Sequence, residues 1–313
     1  MTSMTKFIWK KDASAGDIPA YVHYAPAVED DSKPRPIVLN FHAGGFMAGT
    51  THMTSPVVVA ALVELGFIVV LPEYRLCPQV SLRDGPVQDA ADSLDWARNE
   101  LPRLLKETAG VEADSTKVCA MGHSAGGGLA LSLGSLPNPP VAIADFYGSK
   151  YLRDPFWSKP LPMFAAVPPL DTAFLNKIYD GPQAISSPPM FTPEGKPVLD
   201  NPRTATLISA LRDGTTYNII QPDGDLESAD PATGFKAKGK AFPPTVFLHG
   251  TADIFAPFYL AERAVEELSA QGVEAVLIKA DGHGHILERG MQRHDEGFEK
   301  YVMPALKFLK ERV

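Results

Sequence analysis

Cysteine is scarce: Cys77 and Cys119 in 313 residues are too few for a disulfide framework. Cys119 lies in an apolar run, where a buried thiol is the ordinary reading, and such sparse usage fits a reducing compartment. Long hydrophobic runs are missing as well. No stretch approaches the roughly 20 continuous apolar residues that cross a bilayer. Met1 to Lys11 lacks the apolar core of about 7–15 residues found in secretion signals. A cytoplasmic location is the expectation. Basic clusters are also absent, with 29 Lys and Arg against 37 Asp and Glu and a formal charge of −8. Nucleic acids and anionic membranes need clustered cations to displace their counterions, so neither is an expected partner. There is no internal repeat and no low-complexity tract.

What is present is the composition of an ordinary globular chain, 45% hydrophobic and 21% charged. At about 150 residues per domain, that length allows one large α/β domain or two smaller ones. Ile37 to Phe41 and Phe67 to Leu71 read as strands buried on both faces, being rich in β-branched residues and bounded by Pro or Gly. Val57 to Leu65 fits a crossover helix between them. A second helix is predicted from about Val87 to Glu107, with Ala90, Leu94, Ala97, Leu101, Leu104 and Leu105 on one face. Lys117 to Met121 is the next strand, Ala125 to Leu133 the next helix, and Val141 to Phe146 another strand. Strand and helix in regular alternation predict a mostly parallel, doubly wound sheet.

The rhythm stops after Phe146. Between Gly148 and Pro244 fall 15 of the 29 prolines, interspersed with aromatic and methionine side chains. Proline at that density disfavours long helices and central strands. So long an interruption reads as an inserted cap over 148–244, whose aromatics form either its own core or the wall of a pocket. The alternation resumes with a strand at Thr245 to Leu248, a helix at Pro257 to Ala270, a strand at Ala275 to Ile278 and a helix from about Asp295 to Glu311. Residues 1–147 and 245–313 therefore form the expected core.

The residues that carry chemistry sit at strand ends. Gly122-His123-Ser124-Ala125-Gly126 lies between a predicted strand and a predicted helix. Small residues two before and two after a serine allow the sharp turn that pushes its hydroxyl outward. The helix that follows aims its free N–H groups at the same spot, which suits an oxyanion. Upstream, Ala43-Gly44-Gly45-Phe46 follows the first buried strand, and its glycines free the backbone to present N–H groups. Asp253 follows the strand ending at Leu248, while His283 and His285 follow the strand ending at Ile278. An acid and one histidine of that pair would complete a triad with Ser124, all on the carboxyl edge where open α/β sheets bind ligands. A zinc site built from His283, His285 and either Asp281 or His294 lacks a third ligand at diagnostic spacing, so no metal is expected.

His42-Ala43-Gly44-Gly45-Phe46, Tyr74-Arg75-Leu76-Cys77-Pro78, Pro86-Val87-Gln88-Asp89, Gly122-His123-Ser124-Ala125-Gly126-Gly127, His249-Gly250-Thr251-Ala252-Asp253 and His283-Gly284 together resemble the successive signatures of the hormone-sensitive-lipase-like α/β-hydrolases. The resemblance implies a mostly parallel eight-stranded hydrolase sheet flanked by helices, with an inserted cap, and carboxylic-ester hydrolysis without any cofactor. Carried over residue by residue, it makes Ser124 the nucleophile, Asp253 the acid and His283 the base, with an oxyanion hole from the N–H groups of Gly44, Gly45 and Ala125. The family's Asp-to-His interval of roughly thirty residues favours His283 over His285, and Gly282 and Gly284 on either side of His283 would let its ring turn inward. Phe46, His123, Tyr147 and Trp157 are the residues expected beside the substrate.

Four departures stand out. Ala43 replaces a glycine, His123 replaces the commoner Asp, His285 stands where an aromatic is usual, and the segment before the first core strand is short. The expected function is a serine esterase acting on a small-molecule ester, lactone or thioester, with a homodimer compatible with the sequence. The alternatives are an acyl-transfer, thioesterase or cyclising enzyme of a biosynthetic pathway using the same triad, or a non-catalytic small-molecule receptor of the same family.

Overall fold

Two strands that the hydrophobic pattern did not disclose open the chain. In the computed structural model, which describes residues 2–27 and 33–313, β1 (Ser3–Asp12) and β2 (Gly16–Tyr24) form an antiparallel hairpin turning through Ala13, Ser14 and Ala15. Residues 1 and 28–32 of the expected core lie outside the described residues. The inward positions of β1 hold Thr5, Phe7 and Trp9, but Met4 and Ile8 on the outer face are also apolar, 53% and 39% exposed. That blurs the period of two by which a half-buried strand is recognised.

Parallel strands follow as expected: β3 (Arg35–Phe41), β4 (Ile68–Pro72), β5 (Ala113–His123), β6 (Ile143–Phe146), β7 (Thr245–Gly250) and β8 (Ala275–Ala280). The eight strands form one sheet in the order β1-β2-β4-β3-β5-β6-β7-β8, antiparallel from β1 to β4 and parallel thereafter. Alternate side chains feed two layers. Ile37 and Leu39, Ile68 and Val70, Val118 and Ala120 face one layer. Val38, Val69, Cys119 and Met121 face the other.

The helices divide accordingly. α1 (Pro56–Glu64) covers the second layer, while α2 (Gln88–Asn99), α3 (Leu101–Ala109) and α4 (Ala125–Ser132) cover the first. The single helix predicted over 87–107 is two. Pro102, in the first turn of α3, has no N–H to continue the ladder from α2, so the chain restarts its helix at Glu100.

Between β6 and β7 the chain makes short turns and five helices: α5 (Thr172–Asn176), α6 (Pro202–Asp213), α7 (Thr216–Ile220), α8 (Leu226–Ala229) and α9 (Thr233–Lys238). α6 is longer than the proline density suggested. Its one proline stands at the first position, where no N–H is needed, and Asn201 caps it by accepting from the N–H of Arg203 and Thr204. α10 (Phe258–Ala270) packs on the first layer. A π-helical turn (Phe298–Val302) and α11 (Met303–Lys310), in place of one continuous last helix, pack on the second. Among the described residues no helix is long and apolar enough to cross a membrane.

Candidate active site

The loops after β3, β5, β7 and β8 converge at the carboxyl edge of the sheet. Ser124 occupies the turn from β5 into α4 with φ 54° and ψ −118°, a region an L-residue enters only under constraint. The constraint is close backbone packing. A Cβ on Gly122 would stand 2.1 Å from the Gly126 carbonyl oxygen, and one on Gly126 would stand 2.2 Å from that of Phe41. Glycine at both positions is what lets α4 start directly against β3. The Ser124 N–H is held by the Phe146 carbonyl at 2.9 Å.

Asp253 lies in the turn after β7, almost buried at 9% exposure. Its Oδ1 accepts from the N–H groups of Phe255 and Ala256, while Oδ2 stands 2.7 Å from His285 Nδ1 and 3.3 Å from His249 Nε2. Burial works to raise this carboxyl, but the hydrogen bonds from His249, His285 and the Ala256 N–H outweigh it and hold it well below the ordinary carboxylate range. An ionised Asp253 fixes the proton of His285 on Nδ1. Nε2 is then the acceptor, and it lies 2.9 Å from Ser124 Oγ.

The structure corrects the choice of histidine. His285, not His283, bridges Ser124 and Asp253. His283 sits in the turn immediately after β8, its ring edge-on to Tyr301 with centroids 5.2 Å apart. Its carbonyl accepts the Ala252 N–H, which ties the histidine loop to the aspartate loop. Gly282, at φ 74°, shapes that turn rather than aiming a ring inward. Two further residues of chain are needed before a side chain reaches Ser124. The rings of Tyr147 and Phe255, 4.7 and 5.2 Å away, flank His285.

The loop after β3 depends on Gly44, at φ 136°, where a Cβ would fall 1.8 Å from the Ala48 carbonyl oxygen. The Gly44 carbonyl accepts from Met47 and Ala48 N–H. Ala43 does not have positive φ, so its methyl is accommodated. Among the described residues the N–H groups of Gly44, Gly45 and Ala125 have no intramolecular acceptor. Glu73 anchors the loop from behind, accepting from Thr50 Oγ1, Thr51 Oγ1 and the Thr51 N–H, with His42 Nε2 at 3.4 Å. Burial opposes its charge, and the contacts with His42, Thr50 and Thr51 overcome that opposition and lower its pKa.

Ser124 and His285 open into a cavity of about 870 Å³, walled by Phe156, Trp157, Phe191 and Leu207 from the segment between β6 and β7. Phe46 and Trp157 line this cavity. His123 and Tyr147 do not border the cavity. The period of two along β5 turns His123 to the face of Cys119 and Met121, away from the opening. There its Nδ1 lies 2.8 Å from Glu288 Oε1, and the Tyr147 hydroxyl donates to the same oxygen at 2.5 Å. Burial and the neighbouring carboxylate push the Tyr147 phenol well above its ordinary value, so it remains a donor. Burial also disfavours a charged Glu288, but the contacts with His123 and Tyr147 outweigh it and keep its pKa low. Glu288, three residues past His285, borders the cavity and was missed. An isolated glutamate in Ile-Leu-Glu-Arg gives no periodic or motif signal.

Residues 38–137 match a family model described as alpha/beta hydrolase fold. The chain is an α/β-hydrolase. Its motifs resemble those of the hormone-sensitive-lipase-like members of that fold. The hydrolase superposes on an esterase from the archaeon Pyrobaculum calidifontis with a TM-score of 0.67, at 20% identity, covering 99% of this chain and 85% of that one. For the apo form of Thermogutta terrifontis esterase 2 the TM-score is 0.64, at 19% identity, covering 98% and 94%. Identities this low speak for the fold alone. In sequence the hydrolase is 32% identical to the non-reducing polyketide synthase ausA of Aspergillus calidoustus over 94% of its own length. It is 29% identical to the non-reducing polyketide synthase ascC of Acremonium egyptiacum over 96%. The chain spans only 13% and 15% of those two relatives.

Proposed function

We propose that the hydrolase cleaves carboxylic esters or thioesters through an acyl-enzyme. The supporting observation is the continuous contact from Ser124 Oγ through His285 to Asp253, at 2.9 and 2.7 Å. In this reading His285 Nε2 takes the Ser124 proton as Oγ attacks the acyl carbon. Asp253 keeps the imidazole in the required tautomer and stabilises its cation. The N–H groups of Gly44, Gly45 and Ala125 receive the oxyanion. The imidazolium returns its proton to the departing alcohol or thiol, and water releases the acyl group by the same route. No step calls for a metal or cofactor, and the substrate is a small molecule. Residues 148–244 act as a cap, with Phe46 and Trp157 beside the acyl group.

A second reading, acyl release or transfer in a biosynthetic pathway, uses the same triad. It draws on the similarity to polyketide synthases, which extends over nearly the whole of this chain. The experiment is a rate comparison of p-nitrophenyl esters from acetate to palmitate with a thioester and a lactone, with and without an added alcohol. Hydrolysis of oxygen esters lost in Ser124→Ala supports the first reading. Product esters formed with the alcohol support the second. Turnover that persists in Ser124→Ala contradicts both, since removing such a nucleophile costs roughly 10⁶-fold in kcat.

A further inference from the structure

Three buried side chains from three segments of the chain share one oxygen beside the triad. His123, the last residue of β5, has Nδ1 2.8 Å from Glu288 Oε1, and Tyr147, just past β6, donates its hydroxyl to the same oxygen at 2.5 Å. The two donors are themselves 3.1 Å apart. The mechanism uses none of the three, and a polar cluster taken so fully out of water is costly unless its contacts are kept.

Each member is joined to a reacting residue. His123 immediately precedes Ser124. Tyr147 follows Phe146, whose carbonyl holds the Ser124 N–H, and its own N–H is held by the Leu248 carbonyl at 2.9 Å. The Tyr147 ring stands edge-on to His285 with centroids 4.7 Å apart. Glu288 is three residues beyond His285, in a segment that belongs to no helix or strand, so its contacts tie that segment to the ends of β5 and β6. The backbone is constrained in all three places: Ser124, Tyr147 and Ile286 have φ of 54°, 45° and 56°. Side-chain-bearing residues stay in that region only where their surroundings over-determine it.

We propose that Glu288 is a positioning residue: by gathering His123 and Tyr147 on one oxygen, it clamps the histidine loop to the nucleophile turn and holds His285 Nε2 within hydrogen-bond distance of Ser124 Oγ. This rests on the acyl-enzyme reading above. Asp253 orients the imidazole through Nδ1, while the clamp fixes the backbone that carries the ring and the Tyr147 ring limits its swing. Loosening the clamp lengthens the 2.9 Å contact through which the Ser124 proton leaves, and so acts on turnover rather than on substrate binding. The clamp also accounts for His123: an Asp at that position would set a second carboxylate against Glu288. What it requires of residue 288 is an acceptor oxygen.

The test is kcat and KM on p-nitrophenyl butyrate for Glu288→Leu, Glu288→Gln and Tyr147→Phe, each shown to be folded by its melting transition. Glu288→Leu removes the shared oxygen and is expected to lower kcat about 10²-fold, the cost of misplacing a reacting group by about 1 Å. Its KM is expected to stay within about threefold of the wild type. Glu288→Gln keeps an oxygen for both donors and is expected to bring kcat back to within about tenfold of the wild type. Should Glu288→Leu fail to fold, Tyr147→Phe carries the test: it removes one donor, keeps the ring on His285, and is expected to lower kcat about three- to tenfold with KM unchanged. Labelling of Ser124 by a fluorophosphonate separates the two ways of failing. A wild type that turns over without being labelled overturns the acyl-enzyme reading itself. A labelled wild type beside a folded Glu288→Leu with wild-type kcat or a loss in KM alone, a Glu288→Gln no better than Glu288→Leu, or a Tyr147→Phe with wild-type kcat overturns the clamp.

Discussion

Lys150 and Asp145 are both fully buried, with Nζ 2.8 Å from Asp145 Oδ2, immediately beneath α4, the helix that follows Ser124. Lys150 Nζ also donates to the Gly148 carbonyl at 2.6 Å and lies 5.6 Å from the centre of the Phe247 ring. Asp145 Oδ1 accepts the Gly148 N–H at 2.8 Å and is packed so closely that a Cβ on Gly127 would come within 2.3 Å of it. Lys150→Met fills nearly the same volume and removes the positive charge, leaving a carboxylate that water cannot reach. Breaking one side of a buried pair in this way costs about 3–5 kcal/mol, because the remaining charge keeps its desolvation penalty without its attraction. The same logic predicts recovery when the second charge is removed. Asp145→Asn combined with Lys150→Met keeps an oxygen for the Gly148 N–H and should regain about 2 kcal/mol or more of the loss. Urea unfolding of the wild type, both single variants and the double variant closes the cycle. A Lys150→Met loss under about 1 kcal/mol, or a double variant no more stable than Lys150→Met, would refute the reasoning.

Further outcomes follow from the same contacts. Asp253 is held below its unfolded value of about 3.9, so its stabilisation is complete above that pH and is lost as pH falls through it toward the folded value; Asp253→Asn should flatten the acid limb of a urea-midpoint profile between about pH 5 and pH 2, and parallel profiles would contradict this. Gly126→Ala places a methyl 2.2 Å from the Phe41 carbonyl oxygen and 2.7 Å from that of His42, so it should force α4 away from β3, lowering both the melting temperature and the esterase rate. Trp157→Ala removes part of the apolar wall while leaving the triad alone, so the acyl-chain optimum in a p-nitrophenyl ester series should move to longer or bulkier chains with butyrate turnover retained. An unchanged optimum would place the acyl group elsewhere.

The parallel half of the sheet was legible because its strands are apolar on both faces and bounded by breakers, and a period-independent run of Ile, Val and Leu survives any local ambiguity. The hairpin of β1 and β2 was hidden by Met4 and Ile8 on the outer face. The break at Glu100 was overlooked because the apolar face continues in register across Pro102, so amphipathicity signalled one helix where backbone hydrogen bonding allows two. Ser124 and Asp253 were placed by local chain geometry, a turn between strand and helix and a turn after a strand. The histidine could not be, since choosing between His283 and His285 depends on how far the chain must travel from the end of β8 to Ser124. The glycines flanking His283 mark a turn, not an inward-facing ring. His123 and Tyr147 lie off the cavity because strand alternation sends His123 inward to Glu288, where the Tyr147 hydroxyl joins it.

The central claim is that His285 is the imidazole that activates Ser124. Its most direct test is the kcat of His285→Ala beside that of His283→Ala on one p-nitrophenyl ester, each protein first shown to be folded by its melting transition. The account predicts that His285→Ala falls by at least about 10⁴-fold, toward the level of Ser124→Ala. It predicts that His283→Ala, which loses only the ring contact with Tyr301, keeps kcat within about tenfold of the wild type. A folded His285→Ala enzyme that turns over at the wild-type rate while His283→Ala is inactive would contradict it.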